Sequence, residues 1–191
     1  MIDENEKIED HYNSPRRTTT ATFRVEENLI RILKKEAEDH EISLNVLINQ
    51  VLKRYVEWHR YEPKIGMFPM AKPVLVQLFD NISEDKIIDI ATNTGRSAIK
   101  EMALFMKHKM NLESFLEWFE MRMKSSFIEI SHEKYDNGNC KTHSYIVKHD
   151  LGKNWSLYHK VIFEFILQDL KGKPLKNVSV TSTMFAFDIE E

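Results

Sequence analysis

Cysteine is nearly missing from this chain: Cys140 is the only one in 191 residues. No intrachain disulfide can form, and a lone thiol fits the expectation of a reducing, cytoplasmic setting. Glycine and proline are scarce, at five each, which sets collagen-like and low-complexity architectures aside. No run of 18 apolar residues occurs, so no membrane-spanning helix and no membrane partner are expected. The first residues are acidic and polar, the reverse of a basic and then apolar secretory signal, so none is expected. A glycine-rich phosphate loop, HExxH, a CxxC pair and a recognisable nucleophile setting are all missing. Thr94-Gly95-Arg96-Ser97 is too short for a phosphate loop, and neither an enzyme nor a cofactor is expected. Bulk positive charge is lacking as well: 27 Lys and Arg face 30 Asp and Glu, a net charge of −3. Contact with nucleic acid would have to come from placed side chains rather than a general basic field.

What is present is an ordinary globular composition, 42% apolar, with its charge unevenly spread. Residues 1–15 carry five acids and one Lys and read as a flexible acidic tail. Residues 16–61 carry nine Lys and Arg against seven acids. Within them, Arg17 to Val25 alternates and is Thr-rich, a strand signature. Glu27 to His40 has a helical stripe at Leu29, Ile30, Leu33 and Ala37. Ser43 then caps a second helix, with apolar residues at Leu44, Leu47, Ile48, Val51, Leu52, Tyr55 and Val56. Pro63, Gly66, Pro69 and Pro73 mark a linker over 62–73, and 74–191 forms a second domain.

One strand and two helices cannot bury a core alone, because the strand has two open edges and the second helix shows its apolar face to water. Two copies solve both problems, so an obligate homodimer is expected. Thr18-Thr-Thr-Ala-Thr-Phe-Arg-Val25, a helix, and Ile42-Ser43-Leu44-Asn45 opening a second helix resemble the ribbon-helix-helix family of transcriptional regulators (the Arc, MetJ and CopG type). The resemblance covers about 45 residues and implies a two-stranded ribbon that enters the DNA major groove. Alternation points Ala21, Phe23 and Val25 inward and Thr20, Thr22 and Arg24 outward, with Thr18 extending the row. Arg24 can donate twice to guanine, while Thr20 and Thr22 offer hydroxyls and methyls to base edges. Ser43 and the backbone N–H groups of Leu44 and Asn45 would clamp a phosphate, and Arg16 and Arg17 would reach another. Lys53 and Arg54, three turns further down the helix, carry less weight.

The second domain is expected as ααα-ββαβ, making the whole chain α+β. Helices are expected at 83–93, 96–110 and 111–124, with Gly95 ending the first. Strands at 126–135 and 140–150 flank an Asn137-Gly138 turn, Asn154 caps a helix from Trp155 to Leu170, and a last strand spans 177–189. A two-residue turn would set His132 opposite His143, the only candidate metal ligands. Nickel-responsive members of the resembled family bind metal in a C-terminal domain of βαββαβ order, which this chain does not match. Two exposed histidines near a hairpin tip, and no metal, are therefore expected. Met102, Met106 and Met110 read as core filling, and Glu113, Glu117 and Glu120 as a solvated face. The expectation is a sequence-specific DNA-binding regulator, in repressor form, acting on double-stranded DNA as a dimer or as a tetramer on DNA. Its second domain would serve oligomerisation or sensing of a small-molecule or metal effector. The competing reading is an antitoxin or partition-type interaction protein whose large domain docks a protein partner.

Overall fold

The computed structural model describes residues 18–136, 138, 140–170 and 172–190. It is a mixed helical and antiparallel-sheet protein, α+β in class. The chain divides into two compact units, one reaching to Asn49 and the other running from Gln50 onward. No helix among the described residues is long and apolar enough to cross a membrane.

In the first unit, residues 18–26 carry no strand pairing and are exposed throughout. The expected ribbon strand is thus not seen in a single chain. The physical reason is that a strand exists only as one side of a ladder. Helix α1 (Glu27–Asp39) follows. It closes through Glu41, whose φ of 55° puts it in the left-handed region. The Ile42 N–H then donates to Ala37 O at 2.9 Å, the reversal that ends many helices. Helix α2 (Leu44–Arg54) starts directly afterwards and runs on through a π-helical turn at Tyr55–His59.

The second unit departs from expectation at four places. The expected linker contains a 3₁₀ turn at Glu62–Lys64 and the start of α3 (Lys72–Asp80). Pro73 lies in the first turn of α3, where its missing N–H costs nothing, so it opens a helix rather than breaking one. Gly95 does not end a helix either. Helix α4 (Glu84–Ile90) passes through a π turn at Ala91–Gly95 straight into α5 (Arg96–Lys107). Gly95 is needed for space: a Cβ there would come within 2.6 Å of the Tyr158 hydroxyl.

Helix α6 (Leu112–Ser125) begins with a capping box between Asn111 and Ser114. Strands β1 (Glu129–Asp136) and β2 (Lys141–Lys148) form a hairpin. Helix α7 (Lys153–Asp169) starts after Gly152 rather than at Asn154. Asn154 instead donates to Phe79 O and Ile82 O, tying down the end of α3. The last expected strand is two, β3 (Lys176–Val180) and β4 (Met184–Glu190), so the order is ββαββ rather than ββαβ. Thr181 makes the turn without Gly, Pro or Asn: its hydroxyl accepts from the N–H groups of Thr183 and Met184.

The sheet order is β1-β2-β4-β3. One face is buried, with His143, Tyr145 and Val147 of β2 paired to Ile189, Phe187 and Phe185 of β4. Alternation of this kind is what a sheet covered on one side requires. Phe119 of α6 and Phe163 of α7 pack edge-on at 4.6 Å, and Phe163 reaches Phe187 at 4.6 Å. Met106 is buried, while Met102 and Met110 pack against the core, as the methionine stripe suggests.

Candidate nucleic-acid interface

Thr18, Thr20, Thr22 and Arg24 are all exposed, as are Ala21, Phe23 and Val25, which are expected to face a dimer core. Arg16 and Arg17 lie outside the described residues. At the start of α2, Ser43 accepts a hydrogen bond from the Val46 N–H at 3.2 Å, a working N-cap. The N–H groups of Leu44 and Asn45 belong to the first turn, where the helix offers no carbonyl to receive them. Ser43 and Asn45 are exposed and Leu44 is half-buried, so this end of α2 can meet an anion.

Apolar side chains of the first unit are left in water: Phe23 is 69% exposed and Ile32 60%, with Val25, Leu29 and Val46 also exposed. Beyond Asn49, the stripe continues with Val51, Leu52, Tyr55 and Val56, again exposed. Fully burying side chains of this type stabilises by roughly 1.5–3 kcal/mol each. Arg54 is occupied elsewhere. It donates to Ser125 O at 3.1 Å and lies 4.0 Å over the Phe127 ring, at the C-terminus of α6. Lys53 sits 3.7 Å from Glu57, a pair between an exposed and a half-buried side chain that is of little strength.

The histidine pair is arranged differently from the two-residue-turn expectation. Asp136 pairs with Lys141, so the loop is two residues longer and His132 faces Tyr145 while His143 faces Lys134. A slip of two keeps both histidines on one face. They meet diagonally, His132 Nε2 to His143 Nδ1 at 2.9 Å. His132 Nδ1 reaches Glu120 Oε1 at 2.8 Å, and the Tyr145 hydroxyl donates to the same oxygen at 3.1 Å. Glu120 is therefore a buried-edge acceptor rather than part of a solvated face. His143 is buried and His132 half-buried, not exposed at a hairpin tip. Burial pushes the His132 imidazole below its usual range, against the pull of Glu120. With His132 neutral, its Nδ1–H is given to Glu120 and its Nε2 accepts from His143, so both ring nitrogens are spent. No group of three or more His, Cys, Asp or Glu among the described residues is arranged to hold a metal.

Sequence reasoning overlooked a second set of buried polar groups. The Leu151 N–H donates to His149 Nδ1, so His149 Nε2–H donates to Ser156 Oγ at 2.7 Å, and Ser156 passes its own proton bond to Thr181 O. Burial pushes His149 down to about 4. His159 gives its Nδ1–H to Trp155 O at 2.9 Å, and burial together with the Arg122 charge holds it down to about 3. Arg122 itself lies on the apolar side of α6, one turn from Trp118 and beside Phe119 and Met123. An arginine at that position of an apolar stripe was the available signal.

No family model matches the chain, and neither a curated protein nor a solved structure matches it. The likeness to ribbon-helix-helix regulators therefore rests on the residues from Thr18 onward and on their chemistry.

Proposed function

We propose that the chain is a site-specific DNA-binding transcriptional regulator that works as a homodimer. The reading rests on the N-terminal unit, where Phe23, Val25, Leu29, Ile32 and Val46 are exposed beside a Ser43-capped helix start. Covering them with a second copy contributes on the order of 5–10 kcal/mol, enough to offset much of the 4–15 kcal/mol cost of association. Residues 18–26 of each copy then pair as an antiparallel ribbon, which gives the inward-facing backbone groups of both strands partners and leaves each copy one open edge instead of two. Thr20, Thr22 and Arg24 face the major groove, with Arg24 taking guanine O6 and N7. Ser43, Leu44 and Asn45 hold a phosphate and set the register, helped by Arg16 and Arg17. The larger unit serves oligomerisation or effector control, and repression is the simplest outcome of occupying a promoter.

Fluorescence-anisotropy titration of duplex DNA from upstream of the protein's own reading frame, against a scrambled duplex, tests the proposal. The expected result is dimer binding that prefers the upstream duplex by at least about 10³-fold at physiological salt. Equal binding to both duplexes, or none to either, would overturn it.

A further inference from the structure

Three buried polar atoms have no hydrogen-bond partner among the described residues: Trp118 Nε1, Arg122 Nε and His159 Nε2. Such atoms are uncommon in folded proteins, because each carries a desolvation cost that nothing offsets. They belong to α6 and α7, whose aromatic side chains pack on one another. Trp118 and Arg122 are one turn apart on α6, with the guanidinium 5.7 Å from the indole centre. The His159 ring is 6.3 Å from Phe119, the neighbour of Trp118, and the Arg122 charge acts on both His159 and Tyr158. Tyr158 lies against the π turn at Gly95, a feature often associated with functional sites. Among the described residues no acidic side chain pairs with Arg122, and the groups its charge acts on are the Tyr158 phenol and the His159 imidazole.

The donor and acceptor count points to one kind of ligand. Arg122 supplies a planar fork matched to a carboxylate, and Trp118 Nε1–H and the Tyr158 hydroxyl are further donors. A single cation balances one negative charge, whereas a phosphate dianion would leave one uncompensated in an apolar setting. His159 has spent its proton on Trp155 O, so its Nε2 is an acceptor and needs a donor from the ligand. Phe115, Phe119 and Phe163 around these helices suit an apolar or aromatic body.

We propose that the α6–α7 cluster of Trp118, Arg122, Tyr158 and His159 binds a small hydroxylated organic carboxylate, its carboxylate on Arg122 and its hydroxyl donating to His159. Binding itself is independent of the DNA reading; only the role of the ligand as an effector rests on that reading.

The test is calorimetric titration of the full chain, without DNA, with 2-, 3- and 4-hydroxybenzoate as probes and benzoate and inorganic phosphate as controls. At least one hydroxybenzoate should saturate one site per chain, about 5-fold or more tighter than benzoate, with phosphate silent. Arg122→Met should weaken that binding by about 10- to 100-fold and should melt no lower than the wild type, since a half-buried cation with a buried, unpartnered Nε is being removed. Should Arg122→Met fail to fold, Tyr158→Phe and Arg122→Lys serve instead, each expected to weaken binding by several-fold. The proposal is overturned if no hydroxybenzoate saturates, if benzoate binds equally well, or if phosphate binds in their place. Unchanged affinity in every folded variant would also overturn it.

Discussion

Two backbone positions and two side chains show how far single residues shape this protein. Glu41 holds a left-handed conformation that costs an L-residue about 1–2 kcal/mol and glycine almost nothing. Glu41→Gly should therefore raise stability by roughly 1 kcal/mol, seen as a rise in Tm of about 2–4 °C; an unchanged or lower Tm would show that the Glu41 side chain matters more than its backbone. Gly95→Ala should act oppositely, costing about 1–3 kcal/mol, because the Tyr158 ring must move away from the new methyl. His149 and His159 make stability depend on pH. Both are held neutral in the fold, at about 4 and about 3, while an unfolded histidine titrates near 6.5. Between those values the unfolded chain binds more protons, so stability is complete above about pH 6.5 and falls as the pH drops toward 3. Urea melts at pH 7, 5.5 and 4.5 should show this loss, and a His149→Gln/His159→Gln variant should show a shallower one. An identical slope in that variant would place the titrating groups elsewhere.

At the scale of elements, the sequence pattern is legible where local chemistry and tertiary context agree. The α7 helix is apolar nearly all round, and its Val161, Ile162, Phe163, Ile166 and Leu167 are all buried. Ser43 caps α2 as its side chain suggests. Misreadings arise where a residue has more than one use. Pro73 marks a helix start instead of a linker, and Gly95 makes room for Tyr158 instead of ending a helix. Thr181 turns the β3–β4 hairpin through its hydroxyl, a signal weaker than Asn-Gly, so one strand is read where two exist. Thr181→Val should loosen that hairpin by about 1 kcal/mol, the worth of a lost turn hydrogen bond, measurable as faster amide exchange at Met184. Arg122, Tyr158 and His159 meet only through tertiary packing, so their common site cannot be read from spacing alone. The proposed ribbon is a different case, since its second strand would belong to another copy. Phe23→Asp should keep the larger unit folded and abolish the dimer, a split visible by sedimentation; a dimer of unchanged affinity would remove Phe23 from the interface.

The whole molecule combines a small N-terminal unit with a larger α+β unit whose core is closed on one sheet face. Its net charge of −3 gives little general attraction to DNA. With Arg16 and Arg17 as the proposed basic phosphate contacts of each copy, a dimer would neutralise about four phosphates, and the log–log salt slope should be no steeper than about −4. A steeper slope would mean that other basic residues touch the backbone. Specificity is then concentrated in few side chains, chiefly two copies of Arg24 worth about 1–3 kcal/mol each. The most direct measurement is a comparison of the wild type with Arg24→Ala on the upstream and scrambled duplexes at fixed salt. Arg24→Ala is expected to lose at least about 30-fold on the upstream duplex and only a few-fold on the scrambled one. Equal losses on both duplexes, or no loss on either, would contradict it.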